Sequence, residues 1–227
     1  MKRRAAEGLF LCITGLWAAA ALAAQAPQEG IFRHPLGPNT ENAFKAACSS
    51  LAKHPFIIGN FDQEKTLSRL NRSLKSSGNF IITANSGMVW ETLKPFPSTL
   101  VLGRDYLIQS RPGGQKTVLS AQGNETFLSM AEVLNAVFSG NAQGLVENFD
   151  IYFSGGSADN SGGWELGLLP QEKAIASFAA RIIMKGDSAI KSIVLYEQNG
   201  DCITYTLSNH SYPAELNARE KAHFTVP

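Results

Sequence analysis

GNFDQEKTLSRLNRSLKSSGNFIITANSGMVWETLKPFPSTLVLGRDYLI, residues Gly59 to Ile108, is the stretch whose reading decides the fold. Its apolar runs are each about one strand long, and turn chemistry separates them. Ser76-Ser77-Gly78-Asn79 precedes Phe80–Ala84, Asn85-Ser86-Gly87 precedes Met88–Thr92, and Lys94-Pro95-Phe96-Pro97 precedes Thr99–Leu102. Short apolar runs punctuated by Gly, Asn and Pro predict consecutive antiparallel strands. Side chains alternate across a strand, so Phe80 and Ile82, Met88 and Trp90, and Leu100 and Leu102 each share a face. The sheet therefore has one face of large apolar side chains, which is either filled core or the wall of a cavity.

The order and spacing of several pieces in this stretch resemble one known family. Gly59-Asn60-Phe61-Asp62-Gln63 is followed by Ser76-Ser77-Gly78-Asn79-Phe80, Gly87-Met88-Val89-Trp90-Glu91-Thr92 and Lys94-Pro95-Phe96. Together they resemble the periplasmic outer-membrane lipoprotein carrier (LolA-like) family. Trp164–Pro170 and Glu197–Asp201 extend the likeness more weakly to about Phe224. The resemblance implies an unclosed β-barrel with helices in its mouth, a bound acyl chain, an inner-membrane exporter and an outer-membrane acceptor. One position departs from the family. Better-known members carry Arg-Pro just before the Gly-x-x-Trp equivalent, where this chain reads Thr83-Ala84-Asn85-Ser86. That Arg is linked in the family to handing cargo onward, so cargo and acceptor are left open.

Outward from the stretch, residues 1–23 read as a cleaved secretory signal peptide. Lys2, Arg3 and Arg4 precede an apolar Leu9–Ala21 and a small-x-small site at Ala21-Leu22-Ala23. Cys12 lies inside the apolar run, not at its end, and is not read as a lipidation site. The expected location is the periplasm. Removing 23 of 227 residues leaves 204; three basic residues and one acidic residue (Glu7) go with them, so 20 and 19 become 17 and 18, a formal −1. A near-neutral chain without a Lys/Arg run gives no hint of nucleic acid or of an anionic membrane surface as a partner. Residues 24–39 read as an extended lead-in, and 40–227 as a single domain, expected to be a monomer.

Asn39 or Thr40 is expected to cap a helix to about Lys53, ended by His54-Pro55. Leu67, Leu70 and Leu74 are compatible with a helical turn. Phe127, Met130, Ala131, Leu134, Val137 and Phe138 follow helical spacing and form a candidate lid, with a short helix Ala142–Val146 after it. Ser154–Gly163 is a Gly/Ser/Asn-rich loop without the Gly-Lys-Ser/Thr ending of a phosphate loop. A strand is expected over Ile175–Met184. Asn199-Gly200 between two β-rich runs predicts a hairpin, and the tail from Tyr212 a short helix and an edge strand. The fold class is mainly β (α+β), a single curved sheet or unclosed barrel of 10–11 strands with 2–3 helices as a lid; a sandwich fits the pattern as well.

Cys48 and Cys202 remain after cleavage. An exported chain with an even cysteine count favours a disulfide between them, worth about 4–5 kcal/mol in the chain-entropy model; the alternative is two buried, unpaired thiols. No nucleophile elbow, Ser-x-x-Lys, His-Glu-x-x-His or Cys-x-x-Cys occurs. His34, His54, His210 and His223 are placed in loops or near the tail, with no metal or other cofactor expected. The chain is therefore read as a carrier, not an enzyme. Its expected lipid-binding wall is Phe80, Ile82, Met88, Trp90, Leu100 and Leu102, joined by Leu107, Leu134 and Phe138. The alternative is an exported structural or assembly protein with a solid core that works through protein contacts.

Overall fold

Pairing in the computed structural model follows the alternation read from the sequence. It describes residues 30–103, 106–113, 116–120, 136–155 and 162–225. Among these, eleven strands form one antiparallel sheet: β1 Phe56–Leu67, β2 Arg72–Thr83, β3 Gly87–Lys94, β4 Ser98–Leu102, β5 Tyr106–Ser110, β6 Thr117–Ser120, β7 Phe149–Gly155, β8 Trp164–Pro170, β9 Arg181–Gly186, β10 Ile190–Tyr196 and β11 Cys202–Ser211. Their order is β6-β5-β4-β3-β2-β1-β11-β10-β9-β8-β7. Two meanders thus run outward from a central β1–β11 seam, and the sheet is left open between β6 and β7.

The register decides which residues share a face. Phe80 pairs with Trp90 and Trp90 with Leu100, while Ile82 pairs with Met88, Met88 with Leu102 and Leu102 with Leu107. The expected apolar face is therefore one continuous surface across four strands. On the other meander Tyr205, Ile193, Met184, Leu166 and Phe153 are register partners in turn. A flat sheet would place Phe61 of β1 and Phe153 of β7 roughly 24 Å apart at the usual strand spacing. Here both belong to one buried cluster with Phe44 of the first helix, so the sheet curls around its helices.

That helix spans Pro38–Leu51 and follows from local chemistry. Pro38 occupies the first helical position, where its missing N–H costs nothing. The cap is Gly37, not Asn39 or Thr40 as the sequence suggested: Thr40 sits three residues in, and its hydroxyl accepts from the Gly37 N–H at 3.1 Å. Phe44, Ala47, Cys48 and Leu51 form its buried stripe. Residues 136–139 are helical, and a second helix runs Ala142–Asn148, capped by Asn141. Gly140 joins them at φ +65°; a Cβ there would lie 2.2 Å from the Cys48 carbonyl oxygen, so the close approach requires glycine.

The convex face is covered by both ends of the described chain. Near the start, the 3-10 turn Gly30–Arg33 lays Ile31 and Phe32 over Gly167 of β8. At the far end, Leu216 and Phe224 pack on Ile81, Val89, Val101 and Ile108, the outward residues of β2–β5. The Tyr106 hydroxyl donates to the Phe224 carbonyl at 2.9 Å. The tail contains a helix, Ala218–Ala222, closed by a reciprocal Asn217/Glu220 cap; the edge strand expected there does not form, because these residues cross the face of the sheet instead of its edge. The expected strand Ile175–Met184 is also corrected. Lys173–Ala176 is helical and the strand begins at Arg181, with Ile175 turned into the core. Leu67, Leu70 and Leu74 are no helix beyond a 3-10 turn at Ser68–Leu70, the tip of the β1–β2 hairpin.

The expected Cys48–Cys202 disulfide is absent: both thiols are free. Register explains why. Cys202 pairs with Thr66 near the hairpin tip, whereas Leu51, one turn beyond Cys48, lines a small cavity with Leu207, opposite Phe61. Five residues of strand separate the two levels, roughly 17 Å, beyond the reach of a disulfide. Burial pushes the Cys48 thiol up to about 12. The signal peptide, the Phe127–Leu134 part of the lid and most of the Ser154–Gly163 loop lie outside the described residues.

Candidate functional site

The inward face is the candidate site, and its lining is set by alternation on each strand. Four of the expected wall residues, Phe80, Ile82, Leu102 and Leu107, are buried, as is Phe138 from the helical segment 136–139. Met88, Trp90 and Leu100 are half-buried. Leu134 lies outside the described residues. The wall has two parts. Phe80, Ile82 and Phe138 belong to the large cluster with the helices, and Met88 and Trp90 pack against its edge. Leu102 and Leu107 form a separate small cluster with Met88, Leu100 and Leu119 toward the β6 edge.

Trp90 stands at the join. Its ring stacks on Phe61 with centroids 4.1 Å apart, lies 5.9 Å from Phe80, and meets Tyr205 edge-on at 5.4 Å. Offset and edge-to-face contacts of this kind favour a fixed ring arrangement. Phe61 and Tyr205 were absent from the expected wall. The alternations Ile57-Gly59-Phe61 and Ile203-Tyr205-Leu207 are the signals that would have found them.

A cavity of about 20 Å³ lies in the face, lined by Leu51, Ile57, Phe80, Ile82, Phe138 and Leu207. That is the room of about one water molecule, far below what an acyl chain occupies. His54, His210 and Tyr212 also line it. His210 is on β11, not in a loop, and burial lowers its pKa. His54 is half-buried, and its ring stacks on Tyr212 at 3.9 Å. Among the described residues no group of three His, Cys, Asp or Glu is placed to hold a metal ion.

Charge enters the inward face at one rim. Lys65, opposite Ile203 on β11, places its Nζ 2.7 Å from Glu197 and 4.0 Å from Asp201, with all three side chains largely buried. Asp201 also accepts from the Ser68 N–H at 2.9 Å. The cluster ties the β10–β11 hairpin to the β1–β2 hairpin. On the outward face a ladder of amides crosses four strands. Asn209 donates to Asn60 at 2.9 Å, Asn60 to Asn79 at 2.7 Å and Asn79 to Glu91 at 3.1 Å. Among the described residues no helix is long and apolar enough to cross a membrane.

No family model and no curated protein matches this chain. Solved structures do. A LolA superfamily protein from Nitrosomonas europaea matches at 10% identity and TM-score 0.47, over 82% of this chain and 97% of that one. A putative outer membrane lipoprotein-sorting protein domain from Vibrio parahaemolyticus matches at 10% identity and TM-score 0.42, over 82% and 99%. LprF from Mycobacterium bovis matches at 9% identity and TM-score 0.38, over 82% and 99%.

Proposed function

We propose that this chain is an exported carrier that takes up the acyl chains of a lipoprotein or related lipid on its inward face and ferries them toward the outer membrane. The observation that supports it most is the unbroken apolar surface across the strands, from Leu107 through Trp90 and Phe61 to Phe153, with helices laid over it. The ordered motifs from Gly59 to Phe96 and the signal-peptide pattern support the same reading. An aqueous gap makes a carrier necessary. Each methylene hidden from water is worth about 0.8 kcal/mol, so one ordinary acyl chain is worth on the order of 10 kcal/mol. The small size of this cavity means that cargo entering there must displace packed side chains. Leu51 and Phe138 stand between the helices and the sheet and are the groups to move. Such a carrier closes on itself when empty, which lowers net affinity and permits release. It acts as a monomer between an inner-membrane exporter and an outer-membrane acceptor, and it performs no catalysis.

The close packing of Phe80, Ile82 and Phe138 under the helices favours a second reading: an exported assembly protein with a solid core, acting through protein contacts. Organic extraction of the purified, exported chain followed by mass spectrometry separates the two. The carrier reading expects acyl lipid in the extract, reduced when Trp90 is replaced by Asp. Extracts free of lipid, from a chain that instead purifies in a stable protein complex, would leave only the second reading.

A further inference from the structure

The rim formed by the β1–β2 hairpin tip and the β3–β4 turn exposes apolar side chains that the fold does not use. Leu70 is 65% exposed, Leu74 56%, Leu93 46% and Phe96 82%. The hairpin outruns its neighbour: β2 pairs with β3 only as far as Ser77 opposite Lys94, so Arg72–Ser76 present a free strand edge. The turn carrying Phe96 begins one residue beyond Lys94 and lies beside that edge. Two protruding turns therefore bring four exposed apolar residues to one end of the sheet.

Cations are interspersed among them. Arg69, Arg72 and Lys94 are exposed, and no ion pair engages them among the described residues. The nearby acids are already occupied: Lys75 stands by Glu64 at 3.6 Å, and Lys65 holds Glu197 and Asp201. The rim thus combines uncompensated positive charge with protruding apolar tips. That combination is complementary to an anionic lipid headgroup layer over hydrocarbon. It also continues the inward face, since Leu74, Gly78, Phe80 and Ile82 lie on one side of β2.

We propose that this rim docks on the surface of an anionic phospholipid bilayer, with Phe96, Leu70 and Leu74 entering the interface and Arg69, Arg72 and Lys94 against lipid phosphates. It rests in part on the carrier reading, because Leu74 of the rim lies on the same side of β2 as the wall residues Phe80 and Ile82. The test is co-sedimentation of the mature chain with vesicles of phosphatidylethanolamine and phosphatidylglycerol, against vesicles of phosphatidylcholine alone. Binding is expected to the anionic vesicles and to weaken with salt. Phe96→Ser should weaken it about tenfold, and Arg69→Ser or Arg72→Ser about fivefold each. Val118→Ser, an exposed apolar residue on the β6 edge, should leave it unchanged; circular dichroism verifies folding of every variant. Wild-type chain that carries extractable acyl lipid but ignores both vesicle types overturns the docking and leaves the carrier. Vesicle binding without any extractable cargo sinks the carrier and leaves the docking. Equal losses for Phe96→Ser and Val118→Ser, or a Phe96-dependent complex with a protein in the absence of lipid binding, also overturn it.

Discussion

Replacing Phe61 by Ala tests whether the inward face is filled. Phe61 is 1% exposed, stacks on Trp90 at 4.1 Å, and lies opposite Leu207 on β11 and Gly78 on β2. Deleting a fully buried Phe ring costs about 3–5 kcal/mol, the sum of lost transfer free energy and the cavity left behind. The stacked pair contributes about 0.5–1.5 kcal/mol of that. Gly78 has no side chain to move into the gap, so relaxation is limited and about 4 kcal/mol is expected. Domains of this size lose roughly 2–4 °C of melting temperature per kcal/mol, so the midpoint should fall by about 8–16 °C. Urea unfolding followed by tryptophan fluorescence measures the change, and native emission should shift to the red as Trp90 loses its partner. Phe61→Leu, which keeps most of the volume, should cost about 1 kcal/mol. A loss below about 1 kcal/mol for Phe61→Ala, at unchanged urea dependence, would refute the reasoning. The ring would then already face open space, and the small cavity would understate the room for cargo.

Three further outcomes follow from the buried polar groups. Lys65→Met strands Glu197 and Asp201 and should cost about 3 kcal/mol in urea unfolding, whereas Lys75→Met, in an exposed pair, should cost under about 1. The raised Cys48 pKa means that the unfolded chain ionises first as pH rises. Stability should therefore be retained below pH about 9 and fall by about 1.4 kcal/mol per unit from there toward about 12, and Cys48→Ala should flatten that slope, leaving the part that comes from Cys202 and Tyr212, whose pKa values burial also raises. A thiol count should find two reactive thiols after denaturation and negligible native reactivity at Cys48. His210 has the opposite sign: its lowered pKa makes the folded state bind fewer protons, so stability is lost as pH falls below the usual histidine range. His210→Gln should flatten that limb in unfolding midpoints measured at successive pH values, and an unchanged limb would assign the loss to other groups.

Much of the fold was legible because strand punctuation is local. Gly87 and Pro95–Pro97 mark breaks where they stand, and alternation assigns Phe80, Met88, Trp90 and Leu100 to one side before any partner is known; the break expected at Ser76–Asn79 does not form, because Gly78 lies inside the continuous strand β2, paired with Phe61. The errors lie where a distant element decides. Ile175 reads as part of a strand because it is β-branched, yet it is buried from a short helix. Phe224 reads as an edge strand, yet it covers the outward face. Cys48 and Cys202 invite pairing by count, but the β1–β11 register sets them at different heights. Phe61 and Tyr205 were missing from the expected wall: alternation groups each with the apolar residues of its own strand, and pairing with distant strands makes that side the inward one.

Alternation and turn chemistry, which act over two to four residues, determined by themselves that this chain makes many short antiparallel strands with one apolar side. Tertiary structure decided that the sheet curls, that Trp90 meets Phe61 and Tyr205, and that Phe80, Ile82 and Phe138 are buried between the helices and the sheet. It also decided that Phe96 and Leu70 are left in solvent at one rim. Those outcomes depend on packing between residues up to a hundred or more positions apart, and no local pattern encodes which faces meet.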